Sequence, residues 1–156
     1  MSDINEKSGF AFTFQPVTKL FEEQVRLHPE KCAVASGKES FTYAELNERA
    51  NKIAHSLIGK GAGREIIVGV GLERCCDFYA VRQGILKSGS AFAVASPDYP
   101  DDRIQFIFED AGVPLLITTK EIAKERKELF DKLPCKVLLL EELLQHPDTE
   151  NPDVEI

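Results

Sequence analysis

The chain has 156 residues, 43% of them hydrophobic and 29% charged, which suffices for one domain with a real core but not for two of ordinary size. A formal net charge of −7 repels phosphate backbones and argues against a nucleic-acid partner. No apolar run approaches the roughly 20 residues needed to cross a bilayer, so no membrane partner is expected.

Residues 1–16 read as an N-terminal arm, because residues 1–13 carry no periodic signal. Residues 1–8 are polar and lack the apolar core of a signal peptide, so a cytoplasmic location is expected. Thr18 is placed to cap a helix with Leu20, Phe21, Gln24 and Val25 on one face, and His28-Pro29 stops it. Residues 32–36 then read as a short buried strand, and residues 37–40 as a turn.

Thr42 opens the clearest local signature. With Glu45 three residues on, it makes a capping box, and Phe41 and Leu46 occupy the two positions of a hydrophobic staple. Leu46, Ala50, Ile53, Ala54, Leu57 and Ile58 follow helical spacing, and Gly61 falls where a left-handed C-terminal cap belongs. Residues 66–72 form a β-branched run with the look of an internal parallel strand. Residues 75–87 are helical, and 91–95 form a second short run. Asp101 or Asp102 can cap a helix that Gly112 ends. Residues 114–118 and 136–140 are further strand candidates, separated by a helix over 121–132. Residues 147–156, with two prolines and several acids, read as a linker-like tail.

Strands alternating with helices across short loops imply an α/β fold, a mostly parallel sheet wound with helices on both faces. Cys32, Cys75, Cys76 and Cys135 have no metal spacing, and Cys32 and Cys135 sit beside apolar runs as small core residues would. His28, His55 and His146 are scattered, with no metal-ligand spacing.

The nucleotide motifs fail one by one. Gly69-Val70-Gly71 ends a strand, but Arg74 stands where a dinucleotide loop needs its third glycine, so close packing against a helix explains these glycines better. Gly37-Lys38 is followed by Glu39, not Ser or Thr, and no G-x-S-x-G elbow exists. Asp77, Asp98 and Glu141 are candidates for a phosphoacceptor cluster by position alone.

Several segments, in order, resemble an amino-acid-activating adenylation domain of a nonribosomal peptide synthetase. They are Leu20-Phe21-Glu22-Glu23-Gln24 followed by Pro29; Thr42-Tyr43-Ala44-Glu45-Leu46-Asn47-Glu48-Arg49-Ala50-Asn51; Leu72-Glu73-Arg74; Leu86-Lys87-Ser88-Gly89-Ser90-Ala91-Phe92 with Pro97, Tyr99 and Pro100; and Phe108-Glu109-Asp110-Ala111 with Leu115-Leu116-Ile117-Thr118. Val94, Ala95 and Ser96 stand where that pattern has proline, leucine and aspartate. The resemblance implies that residues 17–146 are the truncated N-terminal subdomain of such a domain. It also implies a parent that uses ATP and Mg²⁺ to make an aminoacyl-adenylate and passes it to a carrier-protein phosphopantetheine thiol. The phosphate loop, ribose-binding aspartate and catalytic lysine of that family come later than Ile156. The chain alone is therefore expected to be inactive, with no catalytic, cofactor-binding or metal-binding residue and no bound cofactor. Its implied partners are the remainder of the domain and the parent's carrier-protein and condensation domains, with self-association open through an exposed apolar face. Two other readings stand beside this one: a piece of an acyl-CoA ligase of the same superfamily, or a non-catalytic small α/β binding or assembly module.

Overall fold

The computed structural model describes residues 14–156; residues 1–13 of the expected arm lie outside the described residues. Helix α1 spans Val17–Leu27. Thr18 is not its cap but part of its first turn: Pro16 holds the N-cap position, and its carbonyl accepts from Lys19 and Leu20. The proline ring fixes φ at −57° and presents that carbonyl to the incoming turn, so the helix begins before the threonine. His28 ends it.

Strands β1, Cys32–Ser36, and β2, Glu39–Thr42, form an antiparallel hairpin separate from the main sheet. Three expectations change here. β1 is partly exposed, Cys32 is exposed, and Glu39 and Ser40 belong to a strand. A two-stranded hairpin can leave one face to solvent, whereas an internal parallel strand must cover both. Helix α2, Tyr43–Gly59, follows with both bonds of the capping box in place. Thr42 Oγ1 accepts from Glu45 N at 3.2 Å, and Thr42 N donates to Glu45 Oε2 at 3.4 Å. Gly61 has φ 95°, the left-handed conformation that an L side chain resists.

The main sheet consists of β3, Ile67–Gly71; β4, Ala91–Val94; β5, Leu115–Thr118; and β6, Lys136–Leu139. All are parallel, in the order β4-β3-β5-β6. Helix α3, Cys76–Lys87, joins β3 to β4, and α4, Asp101–Asp110, joins β4 to β5. Pro100, not Asp101 or Asp102, is the α4 N-cap, with no side-chain cap bond. The helix expected over 121–132 is two: α5, Lys120–Glu125, and α6, Lys127–Lys132, broken at Arg126 with φ −113° and ψ 30°. A short α7, Leu140–Leu143, follows β6.

Alternation along the strands divides the core into two layers. Val68, Val70, Leu115 and Ile117 pack with Leu46, Ile53 and Leu57 of α2 and Val81 and Ile85 of α3. On the opposite face Leu116 packs with Ile104 and Phe108 of α4 and with Ile122, Leu129 and Phe130 of α5 and α6. Gly69 points to that second layer, where a Cβ would lie 2.9 Å from Val113 Cγ1 and 3.1 Å from Phe108 Cε1. Close packing therefore accounts for this glycine. Gly84 does the same for the α2–α3 crossing, with Ile53 and the Ala50 carbonyl against it.

Among the described residues one charged side chain lies inside. Lys87 is 1% exposed and pairs with Glu22 Oε1 at 2.8 Å, tying α1 to α3. Burial pushes the Lys87 ammonium pKa down, and the Glu22 carboxylate offsets only part of that. Burial alone would raise the Glu22 carboxyl, but the Lys87 and Lys19 ammoniums outweigh it and hold it below its ordinary value. Residues 147–156 contain no helix or strand, yet Pro152 is buried and Asn151 accepts from Lys87 Nζ at 3.0 Å.

Gly84→Ala should cost about 2 kcal/mol despite alanine's better helix propensity, because a backbone oxygen cannot yield. The check is a lower urea midpoint at unchanged slope. Glu22→Gln leaves the buried Lys87 ammonium without a counter-charge and should cost about 3 kcal/mol at neutral pH. The Glu22 contribution is fully present above pH 4.5, its ordinary pKa, and is lost as pH falls through the lowered folded value. The thermal-stability gap between wild type and Glu22→Gln should accordingly close in acid.

Candidate functional site

In an open parallel sheet, ligands bind outside the carboxyl ends of the strands, where neighbouring connections leave toward opposite faces. Here that point lies between β3 and β5. The chain leaves β3 toward α3 on one face and leaves β5 toward α5 on the other. Thr118, fully buried, joins the two strand ends by donating its hydroxyl to the Gly71 carbonyl at 2.8 Å. Beyond them opens a crevice of about 220 Å³, lined by Leu72, Glu73 and Asp77 after β3 and by Thr119, Glu121 and Glu125 after β5.

Its electrostatics oppose phosphate. Four carboxylates line it, and only Asp77 is matched by a guanidinium, Arg49 at 2.6 Å. The start of α5 is closed by the chain's own oxygens. Thr119 Oγ1 accepts from Ile122 N at 3.2 Å, and both Glu141 oxygens accept from Lys120 N at 3.1 Å. Asp77 and Glu141, named above as acids of interest by position, thus serve an ion pair and a helix start. Asp98 sits in the turn after β4, where its N–H bonds Ser96 Oγ at 3.3 Å. Among the described residues no group of three or more His, Cys, Asp or Glu side chains is placed to hold a metal ion.

The Pro97-Asp98-Tyr99-Pro100 turn, at the carboxyl end of β4, is clamped from a distance. The Arg126 guanidinium donates to the Pro97 carbonyl and to the Tyr99 carbonyl at 3.2 Å, and pairs with Asp101. The Arg103 guanidinium lies over the Tyr99 ring, 4.2 Å from its centroid. Ser96 supplies the hydroxyl that closes the turn. Sequence spacing gave no hint of Arg126, because its partners lie 25 to 29 residues away. Lys87 was also missed as a buried charge, although its place at the end of an apolar helix was a signal.

A larger groove of about 330 Å³ runs between α1, β1 and α3, walled by Phe21, Ala33, Val34, Leu46 and Leu86. Two of its lining side chains stand exposed, Val17 on α1 and Tyr79 on α3; Leu20 and Leu27 of α1 are exposed as well. No helix among the described residues is long and apolar enough to cross a membrane.

Residues 21–155 match the family described as AMP-binding enzyme. Zwittermicin A synthase ZmaJ of Bacillus cereus is 39% identical over 135 residues, covering 86% of this chain and 25% of that protein. Gramicidin S synthase 2 of Brevibacillus brevis is 39% identical over 137 residues, covering 88% of this chain and 3% of that protein. This chain therefore spans a quarter or less of either relative. Among solved structures, the nonribosomal peptide synthetase FmoA3 in its alpha-methyl-L-serine-AMP bound form superposes with a TM-score of 0.81 at 27% identity, over 97% of this chain and 17% of that one. The Klebsiella oxytoca NpsA N-terminal subdomain shares the fold, with a TM-score of 0.76 at 20% identity, over 90% of this chain and 35% of that one.

Arg126→Met should release the Pro97–Pro100 turn and cost about 1–2 kcal/mol, the partly exposed position holding the figure down. Amide exchange at residues 96–101 should accelerate, with Arg126→Lys recovering only part of the protection because an ammonium cannot span both carbonyls.

Proposed function

Because this chain belongs to the AMP-binding enzyme family, we propose that it is scaffold from an amino-acid-activating adenylation domain of a nonribosomal peptide synthetase. In this reading residues 17–146 are the truncated N-terminal subdomain, residues 1–16 an N-terminal arm, and residues 147–156 a linker-like tail. The whole enzyme converts ATP and an amino acid to an aminoacyl-adenylate and pyrophosphate. It then transfers the acyl group to a carrier-protein thiol, in the cytoplasm. Its partners are the rest of the adenylation domain and the carrier-protein and condensation domains.

The observation that carries the reading is agreement between sequence and shape over nearly the whole chain. Zwittermicin A synthase ZmaJ and gramicidin S synthase 2 are each 39% identical, and a nonribosomal peptide synthetase structure bound to alpha-methyl-L-serine-AMP superposes with a TM-score of 0.81. Those names favour the amino-acid branch over an acyl-CoA ligase or an independent binding module.

The chain's own residues supply the frame and not the chemistry. Phosphoryl chemistry needs positioned donors and Mg²⁺ to spread charge in the transition state. The crevice at the strand ends offers carboxylates instead, and the start of α5 beside it already bonds to Thr119 and Glu141. ATP and Mg²⁺ are thus requirements of the whole enzyme, and no residue of this chain is assigned to hold either.

The purified 156 residues should catalyse no amino-acid-dependent ATP–pyrophosphate exchange. A longer protein that continues in frame through a Ser/Thr/Gly-rich loop with a lysine should do so with an amino acid. Exchange by the short chain would overturn the scaffold assignment. Thioester formation by the longer protein with coenzyme A and a fatty acid, and no exchange with any amino acid, would overturn the substrate class.

A further inference from the structure

Residues 148–154 cross α2 without joining any helix or strand, and among the described residues no backbone–backbone hydrogen bond involves residues 147–156. Side chains hold the segment instead. Asn47, Asn51 and His55 are spaced four apart and so form one stripe along α2. Asn51 Nδ2 donates to the Thr149 carbonyl at 2.7 Å, and His55 Nε2 donates to the Glu150 carbonyl at 2.8 Å. Asn151 Oδ1 accepts from Asn47 Nδ2 at 3.0 Å, Asn51 Nδ2 at 3.1 Å and Lys87 Nζ at 3.0 Å. One amide oxygen thus serves two helices, and one of its three donors is a buried ammonium.

Lys87 has its other partner on α1, Glu22 Oε1 at 2.8 Å. The same ammonium is therefore shared between residue 22 and residue 151, near opposite ends of the sequence. Asn151 is itself exposed, while Lys87 beneath it is 1% exposed. A strap that lifts would bring water to that ammonium. The Glu22 attraction would weaken with it, because an ion pair is worth far less in water than under cover.

From this geometry we infer that residues 148–154 act as a releasable strap whose closure, read through Lys87, locks α1 onto α3. The strap lacks ladder bonds and belongs to the low-stability end of the molecule, where segments open without global unfolding. Coupling of this kind is reciprocal: what the strap does for α1, α1 does for the strap. The groove between α1, β1 and α3 takes its wall residues Val17 and Phe21 from α1, so strap opening loosens that wall. Asn151 and Lys87 act here as positioning residues.

Native-state amide exchange, followed by mass spectrometry on the full chain, tests the coupling. Asn151→Ala should accelerate exchange in α1 on the order of tenfold, within the usual range for coupled sites, and leave α4 and β5 unchanged. Glu22→Gln should accelerate proteolytic cleavage within residues 148–154, whose amides have no backbone bonds among the described residues for exchange to report. Asn151→Asp, which keeps an oxygen for the ammonium, should restore protection in α1. Lys87→Met removes the shared charge but keeps the bulk, and in that background Asn151→Ala should no longer affect α1. The inference is overturned if Asn151→Ala leaves α1 unchanged, if its effect survives in Lys87→Met, or if exchange rises equally in every segment.

Discussion

Strand β3 has to be covered on both faces, and most of the architecture answers that constraint. Val68 and Val70 point into one layer and Gly69 and Gly71 into the other. On the valine side, branched side chains fill the space beneath α2 and α3. On the glycine side there is no space to fill, since Phe108, Val113 and Leu116 already press against Gly69. The two layers therefore lie at different depths from the strand. A glycine again sets the separation where α2 crosses α3, at Gly84. Close packing of this kind leaves little freedom to shift one helix without the others.

The buried Lys87 ammonium works against that economy. A charge removed from water is stabilising only with good partners, and an apolar residue of similar bulk would often serve stability as well. Its partners come from segments that the sheet does not otherwise hold, α1 and the stretch near Asn151. The ion pair and the amide cluster thus attach the peripheral parts of the chain to a core that the apolar side chains build without them.

At the carboxyl ends of the strands, where a ligand site belongs in such a fold, the start of α5 is bonded to the chain's own side-chain oxygens and the crevice is lined with acids. Family membership and local chemistry are compatible once the chain is seen as a frame. A frame must set the direction of the strand ends and the shape of the Pro97–Pro100 turn, and Arg126 and Thr118 do that. It need not hold phosphate.

Local and periodic features were legible in the residues. The capping box at Thr42, the glycine after α2, the four strands of the parallel sheet and helices on both faces all follow from spacing of one to eight residues. The order of recognisable segments also disclosed the family. The errors cluster where a distant contact overrides a local preference. Residues 121–132 have helical periodicity, but Arg126 leaves the helix to reach a turn 25 to 29 residues earlier. Residues 147–156 have a linker's composition, yet Asn151 finds Asn47, Asn51 and Lys87, which composition cannot record. Sequence by itself determined the strands of the parallel sheet, most of the helices and most of the buried faces of α2 and α3, because those depend on neighbours along the chain. Cys32, Leu20 and Ile58, expected inside or on apolar faces, stand exposed. Only the tertiary structure decided the strand order, the break at Arg126 and the partners of Lys87, because those bonds join residues that meet only after the sheet has formed.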